Sequence, residues 1–500
     1  MSACEVARKA GFAEVNCFEN GLSEKTISLS NFDQMFSKAG YVPITLTYQL
    51  DVQSPQQPLI ESLCKGIQWT AAEYPHLAAY IHVDNQGKAS IRCSKEKANL
   101  KIHVNDLEKA DFPTYDELQQ QGFPRSFLGY RHHLPPGFDV SAHPAKNMDE
   151  GIPVMVIQLN FIRGGLVIGI AVHHGCADGT GIDTLVARWA ANTRALLTGV
   201  LPLAFDSGCL DPTPLNSTTP LHPDKIIEAE AILNSYKYMP TLFKKEVTRS
   251  TPVLPKEEVM SSKQSAILHF SAQSIIGLKA LTSPSESGHV VSTNDCITAL
   301  LWRTMTRTYP PVRRVNTDNA VCKARLLHAV NVRPYNDPPM SNAYPGNALC
   351  IGHVDGTIEW LVSENTFADV ARAVRASTKE WRSSNRIGYF KDYIASLPRM
   401  DALGFNFRHS GGPSTFATSW YMMSAYQTYD FGFGRLKALQ WAMDHFSNPF
   451  VDGGFLVLPR RLNEDGTNNG LEVLVTLKTT DMRKLEKDSE LLRWAEMRLE

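Results

Sequence analysis

This sequence lacks most features that would assign it to a special environment. Its nine cysteines stand singly, at Cys4, Cys17, Cys64, Cys93, Cys176, Cys209, Cys296, Cys322 and Cys350. With no CxxC pair, a disulfide framework is not indicated, and the reading is reduced thiols in a cytoplasmic setting. No apolar run approaches the roughly 18 residues needed to cross a membrane. The stretch from Met1 to Lys9 leads into no apolar core of signal-peptide length. The sequon Asn216-Ser217-Thr218 is accordingly read as unglycosylated, and Arg498-Leu499-Glu500 forms no targeting address. An excess of one charge is missing too: 50 basic residues face 51 acidic ones, a net charge of −1. That balance disfavours nucleic acid as a partner. There is no Walker-type Gly-Lys-Ser and no GxGxxG loop. Gly175-Cys176-Ala177-Asp178-Gly179 has no nucleophile at its centre, so the GxSxG elbow is also absent.

What remains is an ordinary globular composition over 500 residues, with 43% hydrophobic and 20% charged residues. The length allows two to four domains with large cores. The most informative stretch is residues 166–181. Leu166 to Val172 is rich in Val and Ile and bounded by glycine, which predicts a buried strand. It ends in His173-His174, and Asp178 follows four residues after the second histidine, before a helix over Ile182–Leu197. Successive strand side chains point to opposite faces, so only one of the two histidines can face a given cavity and act as a base. The same pair would also serve as core packing. A metal site is not indicated, because the histidines diverge and no neighbouring Cys or His has zinc-ligand spacing.

Other elements follow from periodicity. Strands are expected over 42–50, 77–83, 153–160, 266–270, 326–332, 348–351, 455–458 and 471–477. A tight turn at Arg163-Gly164-Gly165 joins 153–160 to the His173 strand. Helices are expected over 57–73, 226–238, 296–308 and 367–383, with a short one around Leu278 and Lys279 and a last one over 481–498. Residues 105–150, with five prolines, are expected to be irregular, and His132-His133 within them to lie at the surface. Pro202, Pro212, Pro214, Pro220 and Pro223 mark a crossover linker. The expected division is 1–201, a linker over 202–262, and 263–500. Ser292 or Thr293 suits the N-cap of the 296–308 helix, whose free N–H groups would suit a phosphate as well as a plain structural cap. Asp430-Phe431-Gly432-Phe433-Gly434 alternates glycine with aromatics, a loop whose backbone must bend sharply or touch another segment.

Taken in order along the chain, these motifs resemble the BAHD-type, CoA-dependent acyltransferases, and most of all their fungal trichothecene O-acetyltransferase-like branch. The resemblance rests on His174-x-x-x-Asp178 and Asp430-Phe-Gly-Phe-Gly434. Weaker matches are Leu29-Ser-Asn-Phe-Asp-Gln34, Tyr74-Pro-His-Leu-Ala78, Ser292-Thr-Asn-Asp295 with Trp302, Tyr344-Pro-Gly-Asn347, Thr418-Ser-Trp420 and Leu471-Glu-Val473. Two departures stand out: Phe433 replaces the tryptophan of the family's DFGWG loop, and Leu436 replaces the proline that often follows the next basic residue. The fold so implied is α/β, two chloramphenicol-acetyltransferase-like domains of mixed β-sheet flanked by helices, with a channel between them.

The resemblance also implies a chemistry. His174 Nε2 would take the proton of an attacking hydroxyl and return it to the leaving thiolate, a contribution of about 10²–10⁴-fold. Thr418 and Trp420 would stand near the oxyanion, where one donor is worth roughly 3 kcal/mol. Asp178 and Arg333 would pair as structural support, with Asp430, Gly432 and Gly434 structural as well. Lys279, Ser292, Thr293 and Arg435 are the candidates for holding CoA. The implied partners are acetyl-CoA or another acyl-CoA and a small-molecule alcohol or phenol, with no metal, no membrane and a monomeric chain. Two rivals stay open: a condensation-type domain with a carrier-tethered donor, and a non-catalytic relative that binds a small molecule in the same channel.

Overall fold

Two seven-stranded sheets organise the chain. The computed structural model describes all residues except 1–5, 10–11, 17–24, 52–53, 86, 94–99, 145–149, 240–262, 283–289, 310–322, 408–410, 444–452, 462–466 and 500. The second part of the expected linker, 240–262, and Cys4, Cys17 and Cys322 lie outside the described residues. The other six cysteines are buried and form no disulfide among the described residues.

The first sheet runs in the order Val6–Lys9, Phe12–Asn16, Lys101–Asp106, Met155–Ile162, Gly165–His173, Tyr41–Gln49 and Ala438–Trp441. Its centre is the hairpin predicted around Gly164, where Gly165 pairs with Ile162 and the strand continues to His173. Every residue from Gly165 to His173 is buried, because both faces of the sheet are covered. Gly169 is required there: a Cβ would lie 1.8 Å from the carbonyl oxygen of His133. One face carries the helices Gln56–Glu73 and Gly179–Thr198. They meet so closely that a Cβ on Gly66 would fall 2.0 Å from Thr193 Oγ1. Trp189 is fully buried between them and donates its indole N–H to the Leu63 carbonyl at 3.0 Å.

The second sheet runs Leu349–Thr357, Lys323–Asn331, Gly411–Ser419, Gly454–Val457, Leu471–Lys478, Lys263–Phe270 and Glu496–Leu499. The helix Thr293–Thr308 packs against it with an almost wholly buried surface that includes Trp302. One strand crosses the division. Ala438–Trp441 comes from the C-terminal half yet pairs with Tyr41–Gln49 in the first sheet.

Several local expectations are corrected. Residues 105–150 contain helices at Tyr115–Gln120, Arg125–Leu128 and Tyr130–His133. The first is closed by a capping box between Thr114 and Glu117. His133 is fully buried rather than at the surface, its Nε2 2.8 Å from the Phe127 carbonyl. Burial holds it neutral, with its pKa lowered to about 3. The 77–83 strand is a 3-10 turn over Pro75–Ala78 followed by Tyr80–Val83. The helix expected over 226–238 stops at Leu233, where Asn234 takes a left-handed conformation, and Tyr236–Tyr238 is a strand. The last helix is broken as well. Asp488 caps a new short helix at Ser489–Leu492, and Glu496–Leu499 then adds to the open edge of the second sheet. A helix at Ser384–Ser396 was not anticipated.

Candidate active site

The turn after the Gly165–His173 strand separates the two histidines as alternation requires. His173 is fully buried, edge-on to Tyr41 at 5.1 Å, and its Nδ1 accepts the Gly175 N–H at 3.1 Å. Burial lowers its pKa to about 3, so it stays neutral as a core group. His174 is partly exposed. Its backbone N–H donates to Gly40 O at 2.8 Å, and its carbonyl accepts Asn347 Nδ2–H at 2.7 Å. Its Nδ1 is shielded from solvent. Burial lowers the pKa of this imidazole too, opposed by its own main chain, by Asp178 and by the Asn347 side chain.

Asp178 closes the turn. It caps the Gly179–Thr198 helix by accepting the Gly181 N–H at 2.9 Å. Arg333 reaches it with both terminal nitrogens, each at 2.9 Å, and Ala348 N–H adds a bond at 3.0 Å. Both side chains are out of solvent, at 3% and 0% exposure. The remaining guanidinium protons go to the carbonyls of Tyr344 and Gly346 and to Asn331 Oδ1. Such a fully bonded ion pair stitches the first half of the chain to the second.

Asp33 adds a second buried carboxylate beside it. It accepts the Asn347 backbone and side-chain N–H groups at 2.7 and 2.9 Å, and burial raises its pKa. The weaker motifs Leu29–Gln34 and Tyr344–Asn347 therefore meet around the carbonyl of His174.

A cavity of about 1310 Å³ opens between the halves. Lys279, Ser292, Thr293, Trp420 and Asp430 stand on its wall, whereas His174, Thr418 and Arg435 do not. Trp420 nonetheless ties the cavity to the histidine turn, since a Cβ on Gly179 would lie 2.8 Å from its ring. The next loop is fastened to the same helix: Ser424 N–H and Tyr429 O–H both donate to Asp183 at about 3.0 Å. Thr418 is partly exposed at the end of the Gly411–Ser419 strand. Arg435 is exposed.

At the far side, Ser292 caps the Thr293–Thr308 helix in a capping box with Asp295. Its hydroxyl is thus occupied, bonded to Asp295 Oδ2 at 2.7 Å. The first-turn N–H groups of Thr293 and Asn294 are the ones such a box leaves without helical partners. Three groups escaped the sequence reading here: Asn294, Arg375 and Arg382, all on the cavity wall. Asn294 Oδ1 and the Nε atoms of both arginines are buried without hydrogen-bond partners. Asn294 lies inside the Ser292-Thr-Asn-Asp295 match, whereas the only sequence signal of the other two is a pair of arginines seven apart on the Phe367–Trp381 helix and its end, a common pattern.

In the Asp430–Gly434 loop, Phe431 and Phe433 lie nearly parallel at 5.8 Å, and Tyr48 meets both edge-on. Phe431 is also edge-on to Trp189 at 4.9 Å. Gly432 and Gly434 have φ of +97° and +150°, which other residues rarely adopt. Among the described residues, no group of three or more His, Cys, Asp or Glu could hold a metal ion, and no helix is long and apolar enough to cross a membrane.

Two mixed-sheet halves, a histidine at a strand end and a large cavity between them define the architecture of a two-domain acyltransferase. A family model described as the Transferase family matches residues 19–492, and the chain belongs to that family, the BAHD-type acyltransferases. It is 23% identical to a trichothecene 3-O-acetyltransferase, TRI101, of Fusarium sporotrichioides, with 91% of this chain and 93% of that protein covered. It is 26% identical to an eremophilane O-acetyltransferase, prx11, of Penicillium rubens, covering 87% and 91%. Among solved structures, Fusarium graminearum TRI101 complexed with coenzyme A and T-2 mycotoxin superposes with a TM-score of 0.75 at 18% identity, covering 95% and 99%. Vinorine synthase superposes with a TM-score of 0.58 at 17% identity, covering 95% and 98%.

Proposed function

We propose that this chain is an acyl-CoA-dependent O-acyltransferase that transfers an acetyl group to a hydroxyl of a small secondary metabolite. The observation that carries this reading is a partly exposed His174 whose backbone is clamped by Asn347 and whose turn is closed by a buried Asp178–Arg333 pair. The relatives' O-acetyltransferase activities support the same class of reaction.

His174 Nε2 takes the proton as the hydroxyl attacks the thioester carbonyl; the shielding of Nδ1 favours that nitrogen. Thr418 and Trp420 stand at the oxyanion end. Asp178 and Arg333 hold the turn and take no proton. Asp430, Gly432 and Gly434 shape a loop away from the reacting atoms. The cavity suits a long, anionic donor: it is large, and Lys279, Arg375 and Arg382 line it beside the start of a 16-residue helix. Thr293 and Asn294 offer backbone N–H groups there, with Ser292 acting as the cap that frees them. Arg435 serves only a part of the donor that extends beyond this wall. No covalent intermediate is needed, since the thioester is already activated; holding both substrates side by side contributes several kcal/mol more.

The chain works as two units, 1–201 and 263–500, joined through 202–262, as a monomer in the cytoplasm. The test is acceptor-dependent release of free CoA by purified protein, with acyl-CoAs of increasing length set against hydroxylated terpenoids and phenols, and products identified by mass spectrometry. Turnover by wild-type protein and loss in His174→Ala is the expected result. Binding of ligands with no acyl-CoA consumed would leave the non-catalytic relative as the better account.

A further inference from the structure

Phe36 follows directly on the short helix Asn31–Met35, and its ring lies flat against the imidazole of His174. The centroids are 4.5 Å apart and the planes 9° from parallel. The ring cannot swing freely, being 7% exposed and braced by Phe405 at 6.2 Å. Its helix is tied to the same turn. Asp33 on that helix accepts both Asn347 N–H groups, and Asn347 donates in turn to the His174 carbonyl. A capping box with Ser30 keeps the Asp33 carboxylate in place.

The base must carry a positive charge briefly. As the hydroxyl attacks, its O–H bond breaks and an N–H bond forms on His174, while the new C–O bond pushes the carbonyl electrons onto oxygen. When the C–S bond breaks, the thiolate takes that proton back. Few charges face the imidazolium in between. His173 on its own strand is neutral. Asp178 in the turn is matched by Arg333. Asp33 stands behind Asn347, and the buried Cys176 thiol is pushed well above its ordinary pKa and stays neutral. Tyr344 donates its hydroxyl to Asp33, and the Gly40 carbonyl accepts the His174 backbone N–H. The face of an aromatic ring carries partial negative charge and attracts a cation laid upon it.

We propose that Phe36 is a positioning residue for His174, its ring face holding the imidazole at its working angle and stabilising that ring while it carries the proton. Asp33 and Asn347 keep the two rings in register. The proposal rests on His174 being the base.

The test compares wild type with Phe36→Leu, Phe36→Tyr and full-length protein carrying pentafluorophenylalanine at position 36, which keeps the shape but reverses the charge on the ring face. In Phe36→Leu, kcat should fall about 3- to 30-fold with KM for acetyl-CoA little changed. The acidic limb of the kcat/KM profile should move to lower pH, because the protonated imidazole loses a partner its neutral form does not need. Phe36→Tyr should restore both readouts. The fluorinated ring should reproduce the loss, and it decides the matter if Phe36→Leu does not fold. An unmoved limb and unchanged kcat in the fluorinated protein, with His174→Ala inactive, would overturn the role of Phe36 alone. Retained turnover in His174→Ala would remove the base assignment beneath it.

Discussion

The two motifs of this chain each pair an aspartate with glycines, yet they occupy opposite electrostatic situations. Asp178 is buried, caps a helix and is met by both terminal nitrogens of a buried arginine. Asp430 is 32% exposed, bonds its own loop at Gly432 N–H, and comes no nearer than 3.8 Å to the half-exposed Arg194. The histidine turn is held by charge and hydrogen bonds, whereas the glycine loop is held by Phe431, Phe433, Tyr48 and Trp189. The same residue type is thus expected to matter far more to stability in one place than in the other, because the cost of an unpaired charge depends on its distance from water.

This contrast can be broken by measurement. The largest expected effect is chemical: His174→Ala should lower turnover by about 10²–10⁴-fold while leaving the thermal transition close to wild type. Asp178→Ala should instead cost on the order of 3–5 kcal/mol of stability, because it strands Arg333 in the interior. Chemical denaturation checks it, and a midpoint equal to wild type would dismiss the buried pair as the keystone of the turn. Phe431→Ala, at the packed heart of the other motif, should lose about 3 kcal/mol through the cavity it leaves.

A smaller effect is tied to pH. Burial holds His133 neutral in the folded chain to about pH 3, while the unfolded chain binds that proton near its ordinary value of 6.5. The unfolded state therefore takes up protons first as pH falls, so stability is lost progressively below about pH 6.5. His133→Gln keeps a donor for the Phe127 carbonyl and should flatten the decline between pH 6.5 and 4.5. An equally steep decline would mean His133 is protonated without penalty. Smallest of all, Asp430→Ala should change stability by less than about 1 kcal/mol; a loss as large as that of Asp178→Ala would erase the contrast between the motifs.

The legible parts of the sequence were those where one face of one element decides the outcome. The Gly165–His173 strand, its hairpin, the Gln56–Glu73 helix and the Ser292 cap all follow from local periodicity and capping. So does the separation of His173 from His174, since it depends only on the alternation of a strand. The misread parts obey a longer-range rule. His133 is internal because Gly169 lets its carbonyl close on the strand. The C-terminal segment leaves its helix because an unpaired sheet edge accepts Glu496–Leu499.

Pattern and composition by themselves therefore determined the family, the α/β class, the strand bearing the histidines and the absence of a charge bias. Only the tertiary structure decided that Phe36 lies on His174, that Asn347 is shared between Asp33 and the His174 carbonyl, and that Arg375 and Arg382 reach the same cavity as Lys279. Those contacts join residues up to 314 positions apart. Local propensity carries no record of such pairs, which are settled by how two packed layers close against each other.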